Sequence, residues 1–251
     1  MPPGGGNRWT RFGRVRMAGK KAWYKLTRGN LRDVVLVLAF LSALFFKVKG
    51  PNLVIGYLLL GVGSFLHFVT KGILIRNVVL SNTGVYRVVR HPYYLANYLV
   101  DSSFCVVSGN LYLPLLYPFL FFWAYGPTLR KEDEFLSSQH PDAFSKHAAQ
   151  TPQVFPDPAS RSGWKRFFEG FSGSRISLKE ISRLSRFWSL GLFLVLVHEV
   201  RIERLSGALD LIRPRRNDYD EFVLLLIAVV LYALSYSLTR HARESRLCYN
   251  V

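Results

Sequence analysis

The stretch PYYLANYLVDSSFCVVSGNLYLPLLYPFLFFWAYGPTL, residues 92–129, carries one charged residue, Asp101. It is long enough for two apolar helices, since crossing a bilayer core of about 30 Å takes roughly 20 residues. Gly109-Asn110 and Pro114 break the run near its middle, which predicts a helical hairpin. Arg90-His91-Pro92-Tyr93-Tyr94 stands at its entrance, and Glu132-Asp133-Glu134 follows at its exit. If both arms cross, the cationic entrance and the acidic exit return to one side of the membrane. Charged and titratable groups then meet at a lipid–water boundary, where each needs a partner or a task.

Outward from this hairpin, uncharged stretches run over 34–46, 50–70, 187–197 and 222–239. Segments 50–70 and 222–239 have spanning length. Segment 34–46 is short, with Lys47 and Lys49 placed to snorkel at its end. Segment 187–197 is marginal and reads as re-entrant or interfacial on length alone. The expected fold is all-α, a multi-pass transmembrane helical bundle of about 5–6 spans with a cytosol-facing cofactor pocket. Gly50-Pro51-Asn52 is read as the turn of the first helical pair, and Gly56, Gly61 and Gly63 as sites of close helix contact. A separate polar helix is predicted from about Arg130 to Gln139, interrupted at Pro141.

Three regions follow. Residues 1–32 form a basic arm bearing Trp9, Phe12, Trp23 and Tyr24, suited to a membrane surface. Residues 33–158 form the membrane core. Residues 159–251 combine a Ser/Gly-punctuated surface segment, including Trp164, Phe167, Phe168 and Phe171, with extra C-terminal membrane helices.

The net charge of +17 would suit nucleic acid, so its placement decides. With the N-terminus inside, 23 basic residues fall on the inner side of the first four spans and 2 on the outer. That split follows the positive-inside rule and assigns the charge to membrane orientation rather than nucleic acid. An integral membrane location is expected, with the N-terminus and the site on the cytoplasmic side. Topology after residue 186 stays open, because either placement of 187–200 leaves arginines outside. Cys105 and Cys248 make neither a disulfide framework nor a cysteine zinc site, and no metal site is expected. Oligomeric state is not legible.

Singly, the polar residues are ambiguous. Arg87 and Arg90 lie three apart, on one face if helical, and suit a phosphate or carboxylate; headgroup anchoring serves as well. Tyr93 and Tyr94 have the character of interfacial aromatics. Glu132, Asp133 and Glu134 would also suit a helix start. Asp101 is either a base or cation partner inside the hairpin or a buried polar link between helices, with Asn97 one turn before it.

Together the residues make a pattern. Gly84-Val-Tyr86-Arg87-Val-Val-Arg90-His91-Pro92-Tyr93-Tyr94-Leu95 resembles the G-x-Y-R-x-x-R-H-P-x-Y-x signature of membrane methyltransferases. These include isoprenylcysteine carboxyl methyltransferases and phospholipid N-methyltransferases. Glu132-Asp133-Glu134-Phe135-Leu136, continuing through Phe144 to Thr151-Pro152 and Phe155-Pro156, is similar to that family's second block. The resemblance covers about residues 50–156. It implies that Arg90, His91, Pro92, Tyr94 and Glu132 line a site for S-adenosylmethionine, with Asp133 in support. For such a transfer Arg87 or Arg90 is the candidate to hold an anionic acceptor, and Asp101 the candidate base or cation partner for an amine. The implied activity is methyl transfer to a lipid or lipid-linked acceptor. The chain departs from the pattern at Ala96 (often Gly), His140-Pro141 (Phe-Gly), Phe144 and His147 (both Tyr) and the Glu-Asp pair (Glu-Glu).

Two rivals share features of this pattern. Membrane NADPH-dependent sterol and steroid reductases carry an R-H-P-N-Y-type element, whose asparagine is replaced here by Tyr93. A non-catalytic membrane protein on the same core is the other.

Overall fold

The computed structural model describes residues 26–74, 81–157, 164–199 and 219–248. Among them there are seven α-helices and no strand: α1 (Leu31–Phe45), α2 (Gly50–Ile73), α3 (Pro92–Val107), α4 (Tyr112–Gln139), α5 (Pro141–Gln150), α6 (Leu178–Glu199) and α7 (Tyr219–Cys248). A short 3₁₀ turn, Gly84–Arg87, leads into α3.

Cross-helix contacts fix the directions. Arg32 of α1 meets Asp101 of α3, and Ser42 further along α1 meets Asn110 just beyond α3. Those helices therefore run the same way. α2 runs against them, since Gly56 faces Val107, Gly63 faces Val100 and His67 meets Tyr93. α6 runs with α3, its Arg183 on Tyr93 and its His198 Nε2 on the Val107 carbonyl at 2.8 Å. α7 returns along α6 through Ser182 to the Ser235 carbonyl and Ser189 to the Ala228 carbonyl, each 2.8 Å. Interhelical hydroxyl bonds of this kind substitute for a hydrophobic drive that lipid removes.

Among the described residues, three helices are long and apolar enough to cross a membrane: Gly50–Ile73, Leu178–His198 and Phe222–Ala242. This fits a membrane protein, with fewer spans than the 5–6 expected from sequence. α1 and α3, at 15 and 16 residues, reach only about 22–24 Å at 1.5 Å per residue. α4 has the length, but Pro118 and Pro127 interrupt its amide ladder, and tyrosine and tryptophan dilute its apolar character. It still turns a stripe of Tyr112, Leu115, Leu116, Phe119, Phe122 and Trp123 outward, as α7 does with Phe222, Leu226, Val230 and their neighbours.

Other boundaries also differ from the sequence reading. Gly50-Pro51-Asn52 opens α2 instead of forming a turn, because proline suits the first helical turn; residues 46–49 make the connection. Pro114 is accommodated in the first turn of α4 for the same reason, so the hairpin turns at 108–111. No break precedes Arg130: α4 continues unbroken to Gln139, and Glu132–Glu134 sit near its end rather than at a helix start. Segment 187–197 is part of a helix that already begins at Leu178, which gives it spanning length. Phe167 and Phe171 pack on the C-terminal end of α2 instead of lying on a surface, with Phe65–Phe167 and Phe68–Phe171 centroids at 6.4 and 5.7 Å.

Gly56 and Gly63 do allow α2 and α3 to touch: a Cβ on Gly63 would come within 3.0 Å of the Val100 backbone nitrogen. Gly61 faces open space and serves no contact. At the hairpin turn, Gly109 takes φ +76° with the Lys47 backbone against it, a conformation and a space only glycine fits.

Candidate functional site

At one end of the bundle the start of α1, the end of α2, the start of α3, the end of α4 and the start of α6 converge. The His91 and Asp133 side chains, one at each mouth of the hairpin, meet there: His91 Nε2 donates to Asp133 Oδ1 at 2.7 Å. Arg90 reaches the other oxygen of Asp133 at 3.1 Å, and Gln153 Nε2 donates to it at 2.8 Å. Tyr94 donates its hydroxyl to Glu132 Oε1 at 2.5 Å, and His91 Nδ1 lies 3.7 Å from Glu132 Oε2.

Local backbone explains the alignment. Pro92 occupies the first turn of α3, where its missing N–H costs nothing, and His91 immediately precedes the helix. The backbone N–H groups of Arg90 and His91 are taken by the Pro152 and Gln153 carbonyls, each at 2.9 Å. Residues 152–153 therefore strap the segment before α3 from outside, which accounts physically for that proline-bearing stretch belonging with the first motif. Arg90 also stacks on Phe144 of α5, 5.5 Å from the ring centroid.

The electrostatics follow from these contacts. Burial alone would raise Asp133, but the His91 hydrogen bond and charge, the Gln153 amide and Arg90 together hold it below its ordinary carboxylate value. His147 is lowered by burial first, and then by the charges of Arg90, His91 and Arg87. Glu132 is the open acid of the pair, its side chain 42% exposed.

Arg87 and Arg90 do not act as one fork. Arg87 turns to Glu169 at 3.8 Å, because it ends the 3₁₀ turn and Arg90 lies beyond it at a bend outside any helix. Asp101 is fully buried, with Arg32 Nε on one oxygen at 2.5 Å and the Tyr117 hydroxyl on the other at 3.1 Å. Arg32 also donates to Asn97 Oδ1 at 2.8 Å, so the two residues predicted on one face share a single cation. These contacts join α1, α3 and α4 and make Asp101 a buried interhelical link.

Arg28 and Arg32 were not singled out in the sequence, where they belonged to the basic arm. Arg28 donates to the Tyr94 hydroxyl at 2.8 Å and lies 3.3 Å from Glu132. The signal that could have found them is the buried Asp101, which demands a cation, and α1 is the helix that opens with one. Trp9, Phe12, Trp23 and Tyr24 lie outside the described residues.

With this geometry in hand, comparisons with known proteins add a narrow result. No family model matches the chain, and no solved structure matches it. The cobalt-zinc-cadmium resistance protein CzcN of Cupriavidus metallidurans is 32% identical over 81 residues, and the nickel-cobalt-cadmium resistance protein NccN of Alcaligenes xylosoxydans xylosoxydans 30% over 81. The likeness is partial. Each match takes in 32% of this chain and 37% or 38% of the relative, so the chain spans little more than a third of the relatives' length. Among the described residues, no group of three or more His, Cys, Asp or Glu side chains is placed to hold a metal ion.

Proposed function

We propose that this chain is an integral membrane methyltransferase, moving a methyl group from S-adenosylmethionine to a lipid or lipid-linked acceptor at the cytosolic side of its membrane. The observation that carries this reading is the closure of two sequence blocks some forty residues apart. His91 meets Asp133 and Tyr94 meets Glu132, while residues 152–153 of the second block strap the first. A methyltransferase signature gives a reason for these particular residues to converge; a structural hairpin does not.

The residues present fit the cofactor's chemistry. Glu132 is ionisable, open and in reach of the Tyr94 hydroxyl, so it suits an ammonium or a ribose hydroxyl. Arg90 keeps its Nε buried without a hydrogen-bond partner, a donor suited to a carboxylate. Bound S-adenosylmethionine supplies an electrophilic methyl on a sulfonium. The protein contributes positioning and dryness, which dominate an in-line displacement. Asp133 fixes the His91 ring, Pro152 and Gln153 fix the backbone behind it, and Tyr94 orients Glu132. At about 24 Å, α3 is shorter than a bilayer core of about 30 Å. With its far end at one lipid boundary, its His91 end stops short of the other, where an amphiphilic acceptor presents its headgroup.

A core that binds the cofactor without turnover is the second reading, favoured by Arg28 already pairing with Glu132 and Tyr94. Transfer of labelled methyl from S-adenosylmethionine into lipid extracts, by the purified protein and by Glu132→Gln, separates the cases. Label in a lipid fraction, lost in the variant, supports the enzyme. Cofactor binding without label supports the second reading, and neither binding nor label sinks both.

A further inference from the structure

Residues 164–171 are seated on the C-terminal end of α2 by close contacts. A Cβ on Gly72 would lie 2.2 Å from the Phe171 ring, and one on Gly84 would lie 2.6 Å from the Glu169 carbonyl oxygen. Each glycine therefore leaves a notch that the segment fills. Arg175 Nη1 stands 3.1 and 3.2 Å from the Gly72 and Ile73 carbonyls, closing the open end of α2, and 2.9 Å from the Gly170 carbonyl. The Ser172 N–H donates to the Gly72 carbonyl at 2.9 Å. Phe167 and Phe171 turn inward onto this seat, yet Trp164 and Phe168 face outward, 48% and 57% exposed. Large aromatics held outward on a fixed turn mark a contact surface.

Their neighbours indicate what they contact. α2 carries Val54, Leu58, Val62 and Phe65 along one outward face, the face that a helix of spanning length gives to acyl chains. Phe65 meets Phe167 at 6.4 Å and Phe168 at 6.0 Å, and Trp164 stacks on Phe167 at 5.8 Å. The lipid-facing stripe thus continues past the helix onto Trp164 and Phe168, and aromatics at that position belong at a lipid–water boundary. Lys165 and Arg166 stand between the two rings in sequence, both exposed. Residues 164–175 hold three cations against one acid, Glu169, which lies 3.8 Å from both Arg87 and Arg166. With Arg175 turned to the α2 carbonyls, the outward surplus rests on Lys165 and Arg166.

We propose that residues 164–168 form a membrane foot, with Trp164 and Phe168 entering the headgroup–acyl boundary of the leaflet on the His91 side and Lys165 and Arg166 binding its anionic phospholipid headgroups. Rings and cations then act together, as in other interfacial segments. The foot also touches the entrance to the Glu132 cluster. Gly84 opens the 3₁₀ turn that leads toward Arg90 and His91, and Arg87 at the end of that turn pairs with Glu169. The depth of the foot in the leaflet therefore sets the depth of the His91–Asp133 pair. The foot requires no methyl transfer and goes beyond that reading.

The test uses the full chain in nanodiscs, with Cys248→Ser as background and the fluorophore NBD attached at Trp164→Cys, Phe168→Cys or, for calibration in mid-helix, Val62→Cys. Label on the buried Cys105 is subtracted with the background protein. Phosphatidylcholine spin-labelled at carbon 5 should quench positions 164 and 168 more strongly than the same lipid labelled at carbon 12, with the order reversed at position 62. At position 168, phosphatidylserine labelled at carbon 5 should quench at a mole fraction about fivefold or more below that of the phosphatidylcholine, the equivalent of about 1 kcal/mol for one surface cation. Lys165→Gln with Arg166→Gln should abolish this preference and leave the depth order unchanged; both side chains are exposed, so the melting temperature should match the parent. Quenching of 164 and 168 by aqueous iodide and by neither lipid label overturns the foot. Quenching by no reagent overturns it too, since another protein surface would then cover the rings, as does stronger quenching from carbon 12. Equal quenching by the two headgroups, or a preference that survives the double variant, overturns the anionic-lipid assignment. None of these readouts involves S-adenosylmethionine, so the methyl-transfer reading stands or falls separately.

Discussion

Replacing Arg32 by methionine should be among the most damaging single changes in the chain. Asp101 is fully buried and its charge is matched by one cation at 2.5 Å, with Tyr117 as the remaining donor. The Arg32 side chain keeps 22% exposure, so the two partners are unequal: losing the arginine strands a carboxylate in the interior, whereas losing the acid leaves a guanidinium with access to water and to Asn97. Removing one partner of a buried pair costs about 3–5 kcal/mol, while replacing both with apolar groups of similar size is often neutral. Arg32→Met is therefore expected to cost about 3–5 kcal/mol, and Asp101→Leu less. The double variant should recover most of the loss. Thermal unfolding of a fluorescent fusion, followed by size-exclusion chromatography in mild detergent, reads the order directly. If Arg32→Met melts with the parent, or the double variant is as damaged as the sum of the singles, Asp101 is not a structural link and its role as a base returns.

Other perturbations follow from contacts described above. Gly63→Ala should destabilise by about 1–3 kcal/mol, because its Cβ meets the Val100 and Ala96 backbone, whereas Gly61→Ala faces open space and should stabilise by about 0.5–1 kcal/mol; paired melting curves check both. His147 has a lowered folded pKa, so between that value and the ordinary value of about 6.5 the unfolded chain binds more protons, and stability rises with pH. The melting temperature should consequently fall as pH drops below about 6.5, and His147→Gln should flatten that slope. Asp133 is lowered too, which for a carboxylate means that the fold favours its charged form: its contribution is complete above about pH 4 and lost as pH falls through the lower folded value, a loss that Asp133→Asn should abolish. Arg28→Ala removes an exposed pair and should change stability by less than about 1 kcal/mol, yet raise affinity for S-adenosylmethionine, measured by calorimetry, by freeing Glu132.

The hairpin and its closed mouth were legible because a long uncharged run with a glycine turn admits few arrangements, and the charge clusters at both ends could then only meet. What hid was anything requiring a third element. Arg28 and Arg32 looked like surface charge, because a basic arm carries no periodicity that separates two functional arginines from seven others. The Arg87–Arg90 spacing suggested a shared face, yet only a continuous helix gives that face, and the chain there is a 3₁₀ turn that ends at Arg87 with a turn and a bend after it. The pairing of α6 with α7 rests on isolated serines and a threonine, which look in sequence like any polar residue in a surface segment.

Segment 187–197 shows why direction is a stronger guide than length. Its uncharged core is too short to span, and hydropathy alone leaves re-entry open. Within the structure, however, Arg183 near the start of α6 bonds Tyr93 at the beginning of α3, and His198 near its end bonds the Val107 carbonyl at the end of α3. A re-entrant segment must turn back before reaching the far end of its neighbour; α6 accompanies α3 along its whole length. α7 then has to run the other way, which its contacts with Ser182 and Ser189 show independently. α6 thus leaves the end where Arg28, Arg90 and Arg183 gather, and α7 runs back in that direction, carrying Arg240. The alternation of α1, α2, α3, α4 and α6 thus brings five helix ends to one site. That is how a short hairpin can be completed by an arginine from before it and a glutamate–arginine pair from after it.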